Sequence, residues 1–146
     1  MKFSQKLNSS MLVSKRVVAR LLVLCGFIFT LTSTWGQYVY SDSGRQVGRV
    51  DGVSYFDGSG RSIGRFDADF VYDASGRMIG RIDGGYVYDS SGRQMGRYDG
   101  NYLYSASGSQ IGRIDGDNFY DASGKSIGRA TGLRRMQMIV YFYFFM

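Results

Sequence analysis

Six arginines recur at an interval of sixteen residues: Arg49, Arg65, Arg81, Arg97, Arg113 and Arg129. A guanidinium is a planar fork of donors that grips a carboxylate or phosphate through two parallel N–H bonds. Six in register would form a ring of anion-holding groups if the chain closes on itself. The competing reading pairs each arginine with the Asp two residues on, or with one in the next repeat, as surface electrostatics. Aromatic residues recur at the same interval, at Tyr40, Phe56, Tyr72, Tyr88, Tyr104 and Tyr120. A register position this constant is expected to pack the core. That leaves the less regular Tyr38, Tyr86 and Tyr102 as candidates for stacking on sugar rings, because tyrosine combines an apolar face with a polar tip.

Other chemistry finds little footing. Asp42-Ser43-Gly44 matches the short aspartic-protease signature, but that chemistry needs two aspartates sharing a proton in a large cleft. Here the tripeptide is one copy of a turn that elsewhere reads Ala-Ser-Gly, Ser-Ser-Gly or Gly-Ser-Gly. Asp67 with Asp69, and Asp115 with Asp117, offer oxygens to Ca²⁺ without the spacing or terminal Glu of an EF-hand. The chain has no His, and its one Cys, Cys25, lies ahead of the repeats. No imidazole is therefore present for base catalysis or metal ligation, and the repeats have no disulfide. The expectation is a protein that is not an enzyme, with no cofactor and no metal.

These side chains must be positioned by the repeat itself. One copy reads Asp73-Ala-Ser-Gly-Arg-Met-Ile-Gly-Arg-Ile-Asp-Gly-Gly-Tyr-Val-Tyr88. A rigid period of this kind means one supersecondary unit copied in space. Phe70-Val71-Tyr72 is aromatic and β-branched and predicts a strand, apolar on both sides of the pleat and so covered on both faces. Asp73-Ala-Ser-Gly76 suits a type I turn, with Asp accepting a backbone N–H and Gly taking positive φ. The chain then returns through Arg77–Ile82. Gly80, in mid-strand, marks a place where an aromatic ring lies over the backbone or where the strand bends. Asp83-Gly84 is a strong hairpin signal. Each of six repeats is thus two short antiparallel strands. A lone hairpin is marginal in water, so the copies must share a core, and closure into a ring removes exposed edges. The Ser-Gly turn occurs six times and the Asp turn five, at Asp51, Asp67, Asp83, Asp99 and Asp115. Five hairpins around the Asp turns, with a spare strand at each end, suit a five-petalled body.

The two ends differ from the repeat. Residues 1–36 carry Lys2, Lys6, Lys15, Arg16 and Arg20, then the apolar run Leu21–Leu31, then small residues at Thr34 and Gly36. This is the anatomy of a secretory signal peptide, and the run is far below the ~20 apolar residues that span a bilayer. An uncleaved anchor is the rival reading. Those five cations account for most of the net charge of +6; beyond them, 13 basic residues face 12 acidic ones. The basic pI is therefore no argument for nucleic acid. Residues 37–132 form the repeat domain, and 133–146 end in a β-prone aromatic run. The expectation for that tail is a closing strand or central plug of the same domain, buried by the petals. The alternative is a membrane-insertion or export signal, although the short petal strands lack the apolar outer face of a membrane barrel.

The run Tyr-x-Tyr-Asp-x-Ser-Gly-x-x-Ile-Gly-Arg-Ile-Asp-Gly, between a leader and an aromatic C-terminus, resembles the secreted bacterial 5-fold β-flower proteins over residues 38–145. That resemblance implies a five-fold pseudosymmetric all-β domain of unassigned activity, and it carries over no catalytic or binding residue. A more distant similarity is to the Tyr-Asp repeats of shell-forming toxin proteins, whose period is longer and less regular. The reading is an exported, all-β, closed ring of hairpins that acts by presenting surface. It would be a structural or protein-interaction module of the periplasm, outer envelope or exterior; the alternative is a multivalent carbohydrate binder with sites between petals. A glycan or an envelope protein is the partner this implies, with no nucleic acid and no transmembrane span beyond the leader.

Overall fold

The computed structural model describes residues 36–146; the leader reading falls ahead of these, outside the described residues. Twelve strands follow one another as β1 (Gln37–Ser41), β2 (Gln46–Asp51), β3 (Ser54–Asp57), β4 (Ser62–Asp67), β5 (Phe70–Asp73), β6 (Met78–Asp83), β7 (Tyr86–Asp89), β8 (Gln94–Asp99), β9 (Tyr102–Ser105), β10 (Gln110–Asp115), β11 (Asn118–Asp121) and β12 (Ser126–Thr131). Each pairs antiparallel with its sequence neighbours, and β12 returns to β1, so the sheet is a closed barrel. The two strands left over by the five Asp turns therefore pair with each other. Their register, Val39↔Ala130 and Tyr40↔Arg129, matches Tyr55↔Val50 and Phe56↔Arg49 in the first turned hairpin. Six equivalent units line the wall, five joined through Asp turns and the sixth closed by the ends of the domain.

Both turns follow from residue chemistry. Asp57 Oδ1 accepts the backbone N–H groups of Ser59 and Arg61, each at 2.9 Å, and the Ser59 hydroxyl at 2.6 Å. Asp73, Asp89 and Asp121 repeat the pattern. At the fourth turn position Gly60 has φ +84°. The Asp turns leave two loop residues, as in Asp83↔Tyr86, and the first is Gly at φ +53° to +58° in four of five copies. The exception is Ala68, held at φ +53°.

The inner face carries one residue from each strand of a pair: Val50 with Tyr55, Phe66 with Val71, Ile82 with Val87, Tyr98 with Leu103, Ile114 with Phe119, and Ala130 with Val39. Nearly all are fully buried. Each unit also contains a β-bulge, where the residue before the mid-strand glycine has no cross-strand partner, as at Val47 and Ile111. The bulged residues Val47, Ile63, Ile79, Met95, Ile111 and Ile127 pack against the core from beside the glycines.

The tail fills the bore as a helix, α1 (Arg135–Phe144), and not as the expected closing strand. Its β-prone sequence is overruled by hydrogen bonding. The wall has no free edge on which a strand can pair, and an unpaired strand in an apolar bore would strand every N–H and C=O. A helix satisfies them internally. Met138, Ile139, Val140 and Tyr141 are consecutive and all buried, so the middle turn of α1 has no solvent face. A barrel of about eight strands has room only for side chains; twelve leave space for a helix about 10 Å across.

Five successive tail residues then meet five mid-strand glycines. A Cβ on Gly48 would lie against Tyr141, one on Gly112 against Phe142, on Gly96 against Tyr143, on Gly80 against Phe144, and on Gly64 against Phe145. The ring-over-backbone expectation holds at these five. At Gly128 the space is taken by the Tyr40 carbonyl oxygen, with no ring within reach. Tyr143 also docks by its hydroxyl, 2.8 Å from the carbonyls of Arg97 and Tyr104, while accepting the Tyr104 N–H at 3.2 Å. At the other end Arg135 donates to the carbonyls of Ile114 and Gly100. Gln137 Oε1 accepts the Arg134 N–H at 2.8 Å.

Candidate functional site

With the bore occupied, the repeated side chains with polar chemistry lie on the outside of the wall. Alternation along a strand puts Val39, Val71 or Val87 inward and both flanking aromatics outward. Tyr40, Phe56, Tyr72, Tyr88, Tyr104 and Tyr120 are thus half-buried outer residues and not core. The sequence misleads here because Tyr-Val-Tyr is apolar on both faces and does not say which is interior. What covers the outer aromatics is arginine. Arg49 lies over Phe56 at 4.6 Å, Arg65 over Tyr72 at 4.3 Å, Arg81 over Tyr88 at 4.4 Å and Arg97 over Tyr104 at 4.2 Å. Arg113 over Tyr120 at 4.6 Å and Arg129 over Tyr40 at 5.4 Å complete the belt across the closure.

Cation–π stacking, worth about 0.5–1 kcal/mol per exposed pair, is therefore the general partner of these arginines. Among the described residues, pairing with the Asp two residues on occurs only at Arg81–Asp83, 3.0 Å. Among the described residues the side chains of Arg49, Arg65, Arg97, Arg113 and Arg129 make no hydrogen bond; the sequence does not foretell this, because an aromatic partner looks the same as an apolar one in the chain. The remaining ion pairs, Arg77–Asp73 and Arg93–Asp89, sit in the Ser-Gly turns.

Tyr38, Tyr86 and Tyr102 share this outer face. Tyr86 is 43% and Tyr102 42% exposed, and Phe70, one register earlier, 40%; Tyr38 is half-buried and tilted against Tyr40. Spacing alone singles out Tyr86 and Tyr102 by residue type, and the sixteen-residue step from Tyr86 adds Phe70 to them. Pairing gives each exposed ring two flanks. Tyr86 faces Arg97 on one side and Asp83 on the other. Tyr102 faces Arg113 and Asp99, and Phe70 faces Arg81 and Asp67. In the other units the ring position holds Ser54 or Asn118, and beside Tyr38 the acid is replaced by Thr131.

Elsewhere the polar groups serve the turns. In Asp57, Asp73, Asp89 and Asp121 the carboxyl is held below its ordinary range, chiefly by the serine hydroxyl two residues on. The Asp of Asp42-Ser43-Gly44 accepts its neighbour's N–H within such a turn. Asp67, Asp69, Asp115 and Asp117 belong to hairpin ends; among the described residues no three His, Cys, Asp or Glu side chains converge as metal ligands would. A cleft of about 250 Å³ opens where α1 enters the bore, lined by Val53, Tyr55, Phe66, Ala68, Arg134 and Met136 among others. No helix among the described residues is long and apolar enough to cross a membrane.

No curated protein and no solved structure matches the chain. Residues 36–146, which are the whole closed barrel with its helical plug, match the family model of the 5-fold beta-flower protein. With the sixteen-residue period, the edgeless wall and this match in agreement, the chain belongs to the 5-fold beta-flower family.

Proposed function

We propose that this protein is an exported, non-enzymatic module of the cell envelope that works by presenting its outer wall, in a structural or protein-binding role. The observation that carries the reading is where the space and the free polar groups lie. The interior is taken up by the protein's own helix, whereas the outside repeats one stacked arginine six times. Stacking fixes each guanidinium plane before any partner arrives, which lowers the ordering cost of binding. Repetition adds avidity for a repetitive partner. Export is supported by the leader-like residues 1–36.

The test is fractionation of the producing cell into periplasm, outer membrane and medium, comparing the parent with Arg97→Gln/Arg113→Gln. Retention with an envelope fraction that falls several-fold in the variant supports the reading. A protein that stays cytoplasmic, or a variant that partitions as the parent does, overturns it. A second reading, multivalent carbohydrate binding, is favoured by the exposure of Phe70, Tyr86 and Tyr102 beside paired acid and base.

A further inference from the structure

We infer that the row Phe70, Tyr86 and Tyr102 is a set of adjacent subsites for a neutral linear glycan, each subsite an exposed ring between one aspartate and one arginine. The inference rests on the surface-presenting reading and specifies the ligand within its carbohydrate form. The three rings occupy the same register position on β5, β7 and β9 and are the exposed aromatics of the outer belt. A pyranose has one apolar face of C–H groups, which stacks on an aromatic ring, and a rim of hydroxyls that both donate and accept. The flanks carry what that rim lacks: Asp99 and Arg113 stand directly opposite Tyr102 on its two neighbouring strands, and Asp83 and Arg97 stand so beside Tyr86. Each guanidinium is laid over the next ring along, with its N–H groups open to a hydroxyl. Directly opposed residues of an antiparallel pair stand about 5 Å apart at Cβ, so both flanks lie within a side chain's length of a sugar laid on the ring.

Charge decides the class of ligand. Each subsite carries one acid and one base and sums to zero. A polyanion such as a nucleic acid or polyuronate would meet Asp67, Asp83 and Asp99 as well as the arginines. An acidic peptide would face the same repulsion. A neutral glycan meets neither penalty. Neighbouring rings are separated by two strand spacings, roughly 10 Å, the scale of a disaccharide, so a chain crossing the wall can engage successive rings. The subsites are unequal, since Arg81 already bonds Asp83 at 3.0 Å. Tyr102 is the most open, because neither Asp99 nor Arg113 makes a side-chain hydrogen bond or ion pair among the described residues and Arg113 only stacks on Tyr120. Asn118 is next in the row and already lies between Asp115 and Arg129; only the ring is lacking.

The experiment is affinity electrophoresis and calorimetry of the purified protein with hydroxyethylcellulose, xyloglucan, galactomannan and dextran, with polygalacturonate as the anionic probe. At least one neutral glycan should retard the protein, with little change between low and high salt. Tyr86→Ala/Tyr102→Ala should weaken that binding at least tenfold while keeping the parent's circular dichroism. Asn118→Tyr should strengthen it severalfold, which a merely structural role for the rings would not produce. Silence across the neutral panel, unchanged binding in the double variant, or binding to polygalacturonate alone would overturn the inference. If the neutral panel is silent while Arg97→Gln/Arg113→Gln still loses envelope retention, the glycan falls and the surface-presenting reading stands with a protein partner. Loss of neither overturns both.

Discussion

Each mid-strand glycine is defined by what a methyl group there would strike. At Gly80 it would fall well inside van der Waals contact with both the Phe144 ring and the Tyr88 carbonyl, which is backbone and cannot move aside. At Gly48 it would lie 2.8 Å from the Tyr141 hydroxyl, the end of a side chain, and 3.2 Å from the Phe56 carbonyl. Gly80→Ala is therefore expected to cost about 2–3 kcal/mol and Gly48→Ala clearly less, measured by urea unfolding. Adding Phe144→Leu to Gly80→Ala should recover part of the loss, a coupling that two independent sites would not show. Ala68 presents the opposite case. Its φ of +53° disfavours any side chain, by about 1–2 kcal/mol, against a smaller entropic cost of glycine in the unfolded chain. Ala68→Gly should raise stability by about 0.5–1 kcal/mol, seen as a higher urea midpoint at unchanged slope. The turn carboxylates set the acid limit. Asp57, Asp73, Asp89 and Asp121 titrate lower in the folded protein than in the unfolded chain, where Asp titrates near about 3.9. Their contribution is complete above that value and disappears as pH falls through the lowered folded one. Replacing all four by Ser, the residue already present at Ser41 and Ser105, should flatten the dependence of Tm on pH between about 5 and 2.

The helix is the element on which the wall depends. The strands and both turn types are legible in the sequence because Asp, Ser and Gly at fixed spacing leave little choice of local conformation. The tail is not, since Ile, Val, Tyr and Phe favour strand intrinsically, and only a closed wall makes helix the lesser cost. The candidate site was legible to a similar extent: the arginines and Tyr86 and Tyr102 follow from spacing, but which face is interior depends on α1. Ending the chain at Gly132 should abolish the cooperative thermal transition and expose dye-binding apolar surface. A truncated chain that melts as sharply as the parent would mean that the wall stands without a core. Alkali probes the same contact. Burial raises the pKa of Tyr55 and Tyr141 and pushes that of Tyr143 up to about 12. The stability they contribute is whole below the ordinary tyrosine value of about 10 and is lost as pH rises through the folded values. Ultraviolet titration should find these three phenols ionising last, together with unfolding; early, independent ionisation would place α1 outside the bore.

At the scale of the molecule, an approximately six-fold wall encloses a plug that has no such symmetry. Every hairpin can in principle pair with every other, because the registers are alike. The five different neighbours provided by Tyr141–Phe145 distinguish one petal from the next, and at Gly128 the nearest atoms are backbone. Closure between β1 and β12 also denies neighbouring molecules an edge on which to pair. For the gene, this arrangement sets a ceiling. Tandem duplication of a 48-base segment adds a petal at no cost to local pairing, yet a seventh would widen the lumen beyond the girth of one helix. Lineages that lengthen or shorten the array must therefore remodel the tail in step, so repeat number and tail bulk are expected to evolve as one character.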